Sequence, residues 1–407
     1  MVYILYLDDR NKKNSRINNL NFIETRDNRM INKLNKKNKK IPQASSIYWN
    51  QIVQNRKLKK KITILSLGEA FFKIKKFNLN NHLKKEANYH YSDSRGFEKL
   101  RIKILNLYNK KYGCRLKSKN EILISAGSKI VSYFVFLTLL EKNDEVLTTE
   151  PAWLSYREQI YLCGAKIKFL KFNEKIQNIE KKITKKTKIF LLNNPNNPTG
   201  KYYSKKEVNL ISKICRKKGV FFVCDEAYSD YLNFGEKYFS AIHCDRKLNH
   251  TIVINSLSKN FGMSGWRLGY VIANKKIIDR ILVLNQHLIT CAPTILQDYV
   301  TLNFEKLFND NIKKIRKVMI KRQKIYEFLK KIDLKFLEGS STFYFFISIP
   351  KKINTYNLCK KLLFKNNISF VPGDAYGKSV KNFVRMSIGT ESLNNIKKAL
   401  LVLKSYL

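Results

Sequence analysis

Short runs of β-branched and aromatic residues alternate with helical patterns from residue 62 onward, and this alternation constrains the fold more than any other feature. Each run is followed by a turn and then by a helical pattern. The runs are EILISAGS, DEVLTTEP, AKIKFLKF, TKIFLLNNP, GVFFVCDEAY, TIVINSLSK and RLGYVIAN. Strands that alternate with helices usually form a mostly parallel sheet with helices on both faces. The sequence therefore predicts an α/β fold with one large sheet.

The C-terminal part has a different pattern of apolar and charged residues. After residue 274 the pattern becomes helical, and residues 304–332 place Lys and Arg opposite an Ile/Leu/Phe stripe. A helix of this length can bridge two domains. The later runs GSSTFYFFISI, ISFVPGD and FVRMSIG are separated by helical segments. This order predicts a smaller α/β domain after the long helix.

These changes in residue pattern divide the chain into four predicted segments. Residues 1–61 are expected to be a basic, poorly ordered extension, because Lys, Asn and Arg dominate and apolar periodicity is weak. Residues 62–85 are expected to be an N-terminal segment that joins the small domain. Residues 86–303 would form the large domain, and residues 304–407 the bridging helix with the small domain.

The chain is strongly basic, with 79 Lys and Arg against 31 Asp and Glu and a formal charge of +48. Such a charge by itself favours nucleic acid or an anionic surface as a partner. The lysines are spread along the whole chain among many Asn and Ile, which indicates compositional drift rather than a binding patch. We therefore expect no specific nucleic-acid partner, although non-specific polyanion binding at low salt is expected.

The spacing of the cysteines and the length of the apolar runs indicate the cellular compartment of the protein. The seven cysteines include no CxxC pair and are odd in number, which is typical of reduced thiols. The opening MVYILYL stops at Asp8, and the apolar run 131–140 is too short to cross a bilayer. We expect a cytoplasmic protein without a membrane span.

Polar residues follow several of the buried runs, in SAGSK, NNPNNPTG, CDEAY and SLSKNFGMSGWRLGY. Ligands of α/β sheets bind at the carboxyl ends of the strands. Asp225 ends one such run, where a carboxylate is costly unless a cation meets it. A desolvated Lys259 can attack an aldehyde, while Ser256 and Arg267 suit a phosphate. Each residue alone has an ordinary structural explanation, but their order and spacing are far more specific, and one cofactor could use them all.

With these motifs in order, residues from about 64 to the C-terminus closely resemble the class I/II aminotransferases. These are pyridoxal-5′-phosphate (PLP) enzymes of fold type I, similar to aspartate aminotransferase. The resemblance implies a large PLP-binding domain and a smaller α/β domain built from the C-terminal part and an N-terminal segment. SLSKNFGMSGWRLGY is similar to the segment that makes Lys259 the internal-aldimine lysine and Ser256 and Arg267 phosphate ligands.

The resemblance assigns further cofactor contacts. SAGSK is similar to the loop at a helix start whose backbone N–H groups bind the same phosphate, here Gly127, Ser128 and Lys129. PAWLSY is similar to the segment whose aromatic side chain lies flat on the cofactor ring, here Trp153. Ala152, the residue before Trp153, stands where the family usually has an aromatic residue.

The ring contacts come from two other motifs. By resemblance, Asn197 of NNPNNPTG and Tyr228 of DEAY bind the ring oxygen O3′, and Asp225 keeps the ring nitrogen protonated. A Pro/Asn turn and a core tyrosine are the plainer structural alternatives for the first two residues.

Three more segments resemble substrate-binding or subunit-crossing parts of the family. FVRMSIG is similar to the segment whose arginine binds the substrate α-carboxylate, here Arg385, alongside Asn197. LSLGEAFF resembles the glycine segment that would place Gly68 beside the substrate, although Ala70 and Phe71 stand where Pro and Asp are common. HYSDSRG resembles the segment whose tyrosine, here Tyr91, reaches the phosphate of the neighbouring subunit, which implies a homodimer.

The resemblance thus implies a PLP-dependent aminotransferase of amino acid metabolism that needs no metal. It would move an amino group from an L-amino acid to a 2-oxo acid in a ping-pong cycle through an internal aldimine on Lys259, with Asp225 and Tyr228 as further catalytic residues. Another fold type I PLP reaction, such as that of a β-lyase or a synthase, stays open. A PLP-responsive DNA regulator is a remote alternative, because residues 1–61 are short for a winged helix-turn-helix. The substrate pair and the pathway stay open.

Overall fold

The structure is a computed structural model that describes residues 35, 37, 40–57 and 61–407. Gln43–Leu407 form one compact unit. In the shorter unit, Met1–Pro42, the backbone N–H of Lys37 donates to Asn35 Oδ1 at 2.8 Å. Within the described residues, no helix is both long and apolar enough to cross a membrane.

Helices and strands of the longer unit alternate over most of its length. The strands are β1 (Thr63–Ile64), β2 (Ile122–Ser125), β3 (Glu145–Thr149), β4 (Lys166–Leu170), β5 (Thr187–Asn193), β6 (Phe221–Asp225), β7 (Thr251–Ser256), β8 (Gly269–Ile272), β9 (Tyr344–Ser348), β10 (Ile368–Ser369), β11 (Val371–Pro372) and β12 (Phe383–Ser387). The α-helices are α1 (Ser45–Lys57), α2 (Asn80–Leu83), α3 (Glu98–Tyr112), α4 (Ser128–Leu139), α5 (Ser155–Leu162), α6 (Ile179–Lys182), α7 (Lys205–Lys217), α8 (Leu257–Asn260), α9 (Lys275–Leu288), α10 (Thr294–Lys331), α11 (Thr355–Asn366) and α12 (Leu393–Lys404).

A seven-stranded sheet forms the larger part of the molecule. Its strand order is β2-β8-β7-β6-β5-β3-β4, and each of the seven runs noted in the sequence contains one of these strands. β8 runs antiparallel to both of its neighbours, and the pairs among β3 to β7 are parallel. The predicted α/β fold with a mostly parallel sheet is confirmed.

Both faces of this sheet are buried under helices. In β5, Phe190 and Leu192 face a core that includes residues of α3, α7 and the first part of α10. Ile189 and Leu191 face the opposite core, which includes residues of α4, α5 and α9. Because side chains alternate along a strand, the apolar run of β5 serves both cores at once.

The C-terminal part has a core of its own. β12 lies between β11 and β9 in an antiparallel sheet of three strands. α11, α12 and the second half of α10 pack on the same apolar cluster. β1 pairs in parallel with β10, so the chain near residue 63 contacts this C-terminal part. The boundaries drawn at residues 85 and 303 stay predictions.

Two expectations from the sequence need correction. The poorly ordered extension was expected to reach residue 61, but α1 is a helix within it, and Trp49 and Val53 are only 1% and 2% exposed. Trp49 and Val53 lie four apart on one helix face and pack, together with Ile52, on the C-terminal apolar cluster. The long helix begins at Thr294 rather than near residue 304, because Tyr299 and Val300 already face the core. Most of the expected extension lies outside the described residues.

Candidate active site

One cavity of about 210 Å³ lies where β6 and β7 end and α4 begins. Every site residue predicted from the sequence lines it except Gly127 and Tyr91. The predicted residues in its wall are Gly68, Ser128, Lys129, Trp153, Asn197, Asp225, Tyr228, Ser256, Lys259, Arg267 and Arg385. The sheet therefore brings together side chains that are far apart in the sequence, at the edge where α/β folds bind ligands.

Lys259 lies on α8, a short helix that starts directly after β7. Its amine donates to the carbonyl oxygen of Gly68 at 2.5 Å. Burial lowers the pKa of the Lys259 amine to about 8, although the nearby Glu69 carboxylate acts in the opposite direction. The neutral form, which is the nucleophile and the base, is therefore accessible near physiological pH.

Asp225 is the last residue of β6 and is only 9% exposed. The Tyr156 hydroxyl donates to its Oδ2 at 2.5 Å, and the Ala227 N–H donates to its Oδ1 at 3.1 Å. No lysine or arginine among the described residues forms an ion pair with it. Burial raises the pKa of the Asp225 carboxyl, because the charged form loses its hydration. A cationic group that entered the cavity would stabilise this carboxylate.

Arg385 lies in the middle of β12 and is only 2% exposed. Its Nη2 donates to the carbonyl oxygen of Ser66 at 2.6 Å, and its guanidinium carbon lies 4.7 Å from the Tyr344 ring centre and 5.3 Å from that of Tyr376. Its buried Nε has no hydrogen-bond partner, and no described carboxylate pairs with it. A buried guanidinium without an anion suits a planar carboxylate ligand.

Asn197 and Tyr228 form a polar chain next to Arg385. Asn197 Nδ2 donates to the Tyr228 hydroxyl at 3.3 Å, and Arg385 Nη1 donates to Asn197 Oδ1 at 3.4 Å. The Tyr228 hydroxyl also lies 3.0 Å from that of Tyr344. The backbone N–H of Asn197 donates to Asn193 Oδ1 at 2.6 Å, which fixes the turn. Both predicted residues thus present polar groups to one wall of the cavity.

Another part of the wall is formed by the start of α4 and by Arg267. Gly127 is the N-cap residue of α4 with φ of 97°, and a Cβ there would lie 2.4 Å from Arg267 Nη2. Glycine at this position therefore leaves room for the guanidinium beside the free N–H groups of the helix start. Ser128 and Ser256 add hydroxyls to the same wall. This combination of groups suits a phosphate.

Trp153 forms part of the cavity wall near α4. Its ring makes an edge contact with Tyr156 at a centroid distance of 5.1 Å, and the ammonium of Lys129 lies 5.3 Å from its centre. Tyr156, which also binds Asp225, thereby connects the aromatic wall to the buried carboxylate.

Tyr91 lies elsewhere. Its side chain is 85% exposed and does not line the cavity. The expectation that it reaches a neighbouring subunit stays a prediction.

Several residues of the site were not found from the sequence. Tyr344 was hidden in the FYFF run, which reads as an apolar strand. Tyr156 is the last residue of PAWLSY, where the resemblance pointed only to Trp153, and Ser46 belongs to the segment expected to be poorly ordered. The other lining residues that were missed are Asn193, Ala227, Ser258 and Ser264.

The residues of the cavity fit PLP. A phosphate would occupy the cradle between the start of α4 and Arg267, and a protonated ring nitrogen would supply the cation that Asp225 lacks. A substrate carboxylate would accept hydrogen bonds from Arg385, whose Nε is otherwise unpaired. Lys259 lies among these groups with an accessible neutral amine.

Comparison with known proteins agrees with this chemistry. Residues 55–402 match the family model described as aminotransferase class I and II. The (5-formylfuran-3-yl)methyl phosphate transaminase of Methanocaldococcus jannaschii is 33% identical over 351 residues, which cover 86% of this chain and 92% of the relative. The aspartate aminotransferase of Thermotoga maritima is 29% identical over 316 residues, which cover 76% of this chain and 81% of the relative.

Solved structures have the same fold. A Methanococcus jannaschii protein described as similar in its active site to kynurenine aminotransferases superposes with a TM-score of 0.82 at 31% identity, over 92% of this chain and 99% of that chain. The aspartate aminotransferase of Thermotoga maritima also gives 0.82, at 26% identity and with the same coverage. The chain therefore belongs to the class I and II aminotransferases, a family that generally uses PLP, and it is an aminotransferase.

Proposed function

We propose that this aminotransferase binds PLP through the amine of Lys259 and transfers an amino group from an L-amino acid to a 2-oxo acid in a ping-pong cycle. The observation that carries the proposal is the position of Lys259. Its amine, with a pKa lowered to about 8, shares one cavity with the carboxylate of Asp225 and the guanidinium of Arg385. Neither of these two groups forms an ion pair with a described residue. When bound, PLP supplies an electron sink for the pair released when the Cα–H bond of the substrate breaks.

In this proposal the chain's own residues hold the cofactor and move the proton. Ser256, Arg267 and the N–H groups at the start of α4 would bind the phosphate. Asp225 would hold a proton on the ring nitrogen, Trp153 would cover the ring face, and Asn197 and Tyr228 would bind the ring oxygen. The Lys259 amine would remove the proton from the substrate Cα and later return a proton to the reacting carbon.

Arg385 would bind the α-carboxylate of both donor and acceptor. The two substrates of a ping-pong cycle occupy the same site in turn, and both carry this group. Contacts with the Tyr344 and Tyr376 rings and the hydrogen bond to the Ser66 carbonyl hold the guanidinium in one orientation before substrate arrives.

Borohydride reduction tests the central assignment. The protein purified with PLP should be yellow, and reduction should fix the cofactor on the peptide that contains Lys259, as mass spectrometry of the digest would show. The same preparation should convert an amino donor and a 2-oxo acid before reduction and not after it. Recovery of the reduced adduct on a different lysine would refute the proposal.

The side chain of Lys129 bears on the choice of substrate. Its ammonium lies beside Trp153, and no described acidic residue forms an ion pair with it. The relatives named above act, by their names, on an aldehyde that carries a phosphate and on aspartate, and each of these compounds has an anionic group away from the reacting carbon. We infer that the preferred donor also carries an anionic side chain, which Lys129 contacts.

Lys129→Gln should therefore raise KM for aspartate or glutamate by about three- to tenfold, as expected for one partly exposed charged hydrogen bond. KM for an uncharged donor such as phenylalanine should stay near that of the unchanged enzyme, and Lys129→Arg should retain most of the preference. Steady-state kinetics with the three donors measures this. A greater requirement for PLP, with no selective loss of the acidic donors, would instead make Lys129 a phosphate ligand.

The homodimer is also a proposal. It is supported by the resemblance of the segment around Tyr91 to a subunit-crossing segment and by the exposure of that side chain. A hybrid of one Lys259→Ala subunit and one Tyr91→Phe subunit tests it, because a shared site would leave one site intact with normal PLP affinity. Weak PLP binding by the hybrid would contradict the shared site.

A further inference from the structure

Tyr344 contacts two residues of the proposed site, and the proposed function gives its hydroxyl no task. It is the first residue of β9 and is only 1% exposed, yet its side chain lines the cavity. The Arg385 guanidinium lies over its ring, with 4.7 Å between the guanidinium carbon and the ring centre. Its hydroxyl oxygen lies 3.0 Å from that of Tyr228. Tyr344 thus contacts the residue proposed to bind the substrate carboxylate and a residue proposed to bind the ring oxygen.

Hydrogen bonds and close packing fix Tyr344. Its N–H donates to Thr342 Oγ1 at 3.2 Å, and its carbonyl oxygen accepts from Arg322 Nη2 at 3.4 Å. The Arg322 guanidinium is buried and also donates from Nε to the Ser341 carbonyl at 3.0 Å. A Cβ at Gly68 would lie 3.2 Å from the Tyr344 hydroxyl oxygen, so glycine there leaves room for the hydroxyl. The position of this hydroxyl is therefore set by the protein before any ligand binds.

The direction of the hydrogen bonds near Tyr344 follows from their donors. A guanidinium can only donate, so Arg385 Nη1 donates to Asn197 Oδ1, and the Asn197 amide then donates from Nδ2 to the Tyr228 hydroxyl. The Tyr344 hydroxyl has one proton, and the acceptor that the described residues offer it is the Tyr228 oxygen. A buried hydroxyl proton without an acceptor is costly. When Tyr344 donates, Tyr228 accepts two hydrogen bonds and its own proton is free for a ligand oxygen.

We propose that Tyr344 is a positioning residue that donates its hydroxyl proton to Tyr228 and so directs the Tyr228 proton at the ring oxygen of the cofactor. The inference deepens the proposed function and rests on the role of Tyr228 there. Two hydrogen bonds received by the Tyr228 oxygen make its own O–H a stronger donor, because hydrogen bonds in a chain polarise one another. The same chain begins at Arg385, so one set of hydrogen bonds connects the group for the substrate carboxylate to the group for the cofactor ring.

Tyr344→Phe tests this inference, because it removes the hydroxyl and keeps the ring beside Arg385. The visible absorbance of bound PLP changes with pH. A hydrogen bond donated to the ring oxygen stabilises its anionic form, so a weaker donor shifts this change to higher pH. Tyr344→Phe should shift it by about half a pH unit and raise the dissociation constant for PLP by about two- to fivefold, as expected when one hydrogen bond is weakened. Absorbance titration with pH, and titration of the cofactor-free protein with PLP, measure the two effects.

Tyr228→Phe is the reference variant and should change both quantities in the same direction and by more. The charged groups nearest Tyr228 are Arg385 and Asp225, and neither is altered in these variants. The double variant Tyr228→Phe with Tyr344→Phe should match Tyr228→Phe alone, because Tyr344 acts only through Tyr228.

Tyr376→Phe is the matched control. Tyr376 is also 1% exposed and its ring also contacts the Arg385 guanidinium, but its buried hydroxyl has no hydrogen-bond partner among the described residues. Removal of that hydroxyl should leave the absorbance titration and the PLP affinity unchanged.

Normal values in Tyr344→Phe would overturn the inference, whether or not Tyr228→Phe changes them. A shift to lower pH would also overturn it, since Tyr344 would then accept the Tyr228 proton instead of donating its own. Additive effects in the double variant would show that Tyr344 contacts the ligand directly, which contradicts a role through Tyr228. None of these outcomes changes the borohydride adduct on Lys259, so failure of this inference and failure of the proposed function appear in different measurements.

Discussion

Lys259→Ala should lower the rate of amino-group transfer by about 10³-fold or more, because it removes both the amine that would bind PLP and the base that would move the Cα proton. The cavity keeps its other groups in this variant. The phosphate wall and the Asp225 carboxylate do not depend on the lysine side chain, so the variant should still bind PLP, reversibly. Turnover in a coupled assay and PLP retention after gel filtration measure the two effects separately.

Lys276→Ala is a suitable control, because this lysine is exposed and lies outside the cavity. It should show normal turnover. If Lys259→Ala retained near-normal turnover, the proposed role of Lys259 would be wrong. Loss of PLP binding together with turnover, restored by excess PLP, would show that the lysine serves only to retain the cofactor.

Asp225→Asn should lower kcat by about 10²- to 10³-fold, the range seen when one preorganised electrostatic contact to a reacting group is removed. The negative charge of Asp225 would hold the proton on the ring nitrogen, and asparagine cannot do so. The same change should not destabilise the cofactor-free protein at neutral pH. Burial raises the folded-state pKa of this carboxyl, so its ionised form costs stability once the pH exceeds its ordinary value, and asparagine removes that cost.

Glu226→Gln provides a matched control at the next residue. Glu226 is also buried, but its carboxylate accepts hydrogen bonds from Ser240 and from the Ala241 N–H and does not line the cavity. Burial raises the pKa of this carboxyl too, to about 7, so loss of its charge should not destabilise the fold above neutral pH, and the variant should keep the kcat of the folded enzyme. Thermal unfolding and kcat, measured for both variants, show whether Asp225 acts in catalysis or only in stability. A loss of stability without a loss of kcat in Asp225→Asn would remove it from the proposed mechanism.

The sequence alone predicted the seven strands of the large sheet, because the patterns that specify them are local. A buried parallel strand needs only a short apolar run with a turn after it, and both are visible in a run such as TKIFLLNNP. The cluster of site residues could also be predicted, since parallel strands end at one edge and Asp225 and Lys259 follow two of those ends. Spacing within a single motif related Lys259 to Ser256 and Arg267.

Contacts between distant segments were decided only by the tertiary structure. Tyr344 reaches the site from a run that shows the pattern of an ordinary core strand, and Tyr156 reaches Asp225 from the end of PAWLSY, where the sequence pointed only to Trp153. The helix at Ser45–Lys57 depends in the same way on a partner surface, since its polar sequence carries two strongly buried residues. Local patterns record which residues are buried, but not what buries them. The charges around Lys259 come from segments up to about 190 residues away in sequence and are set by packing alone.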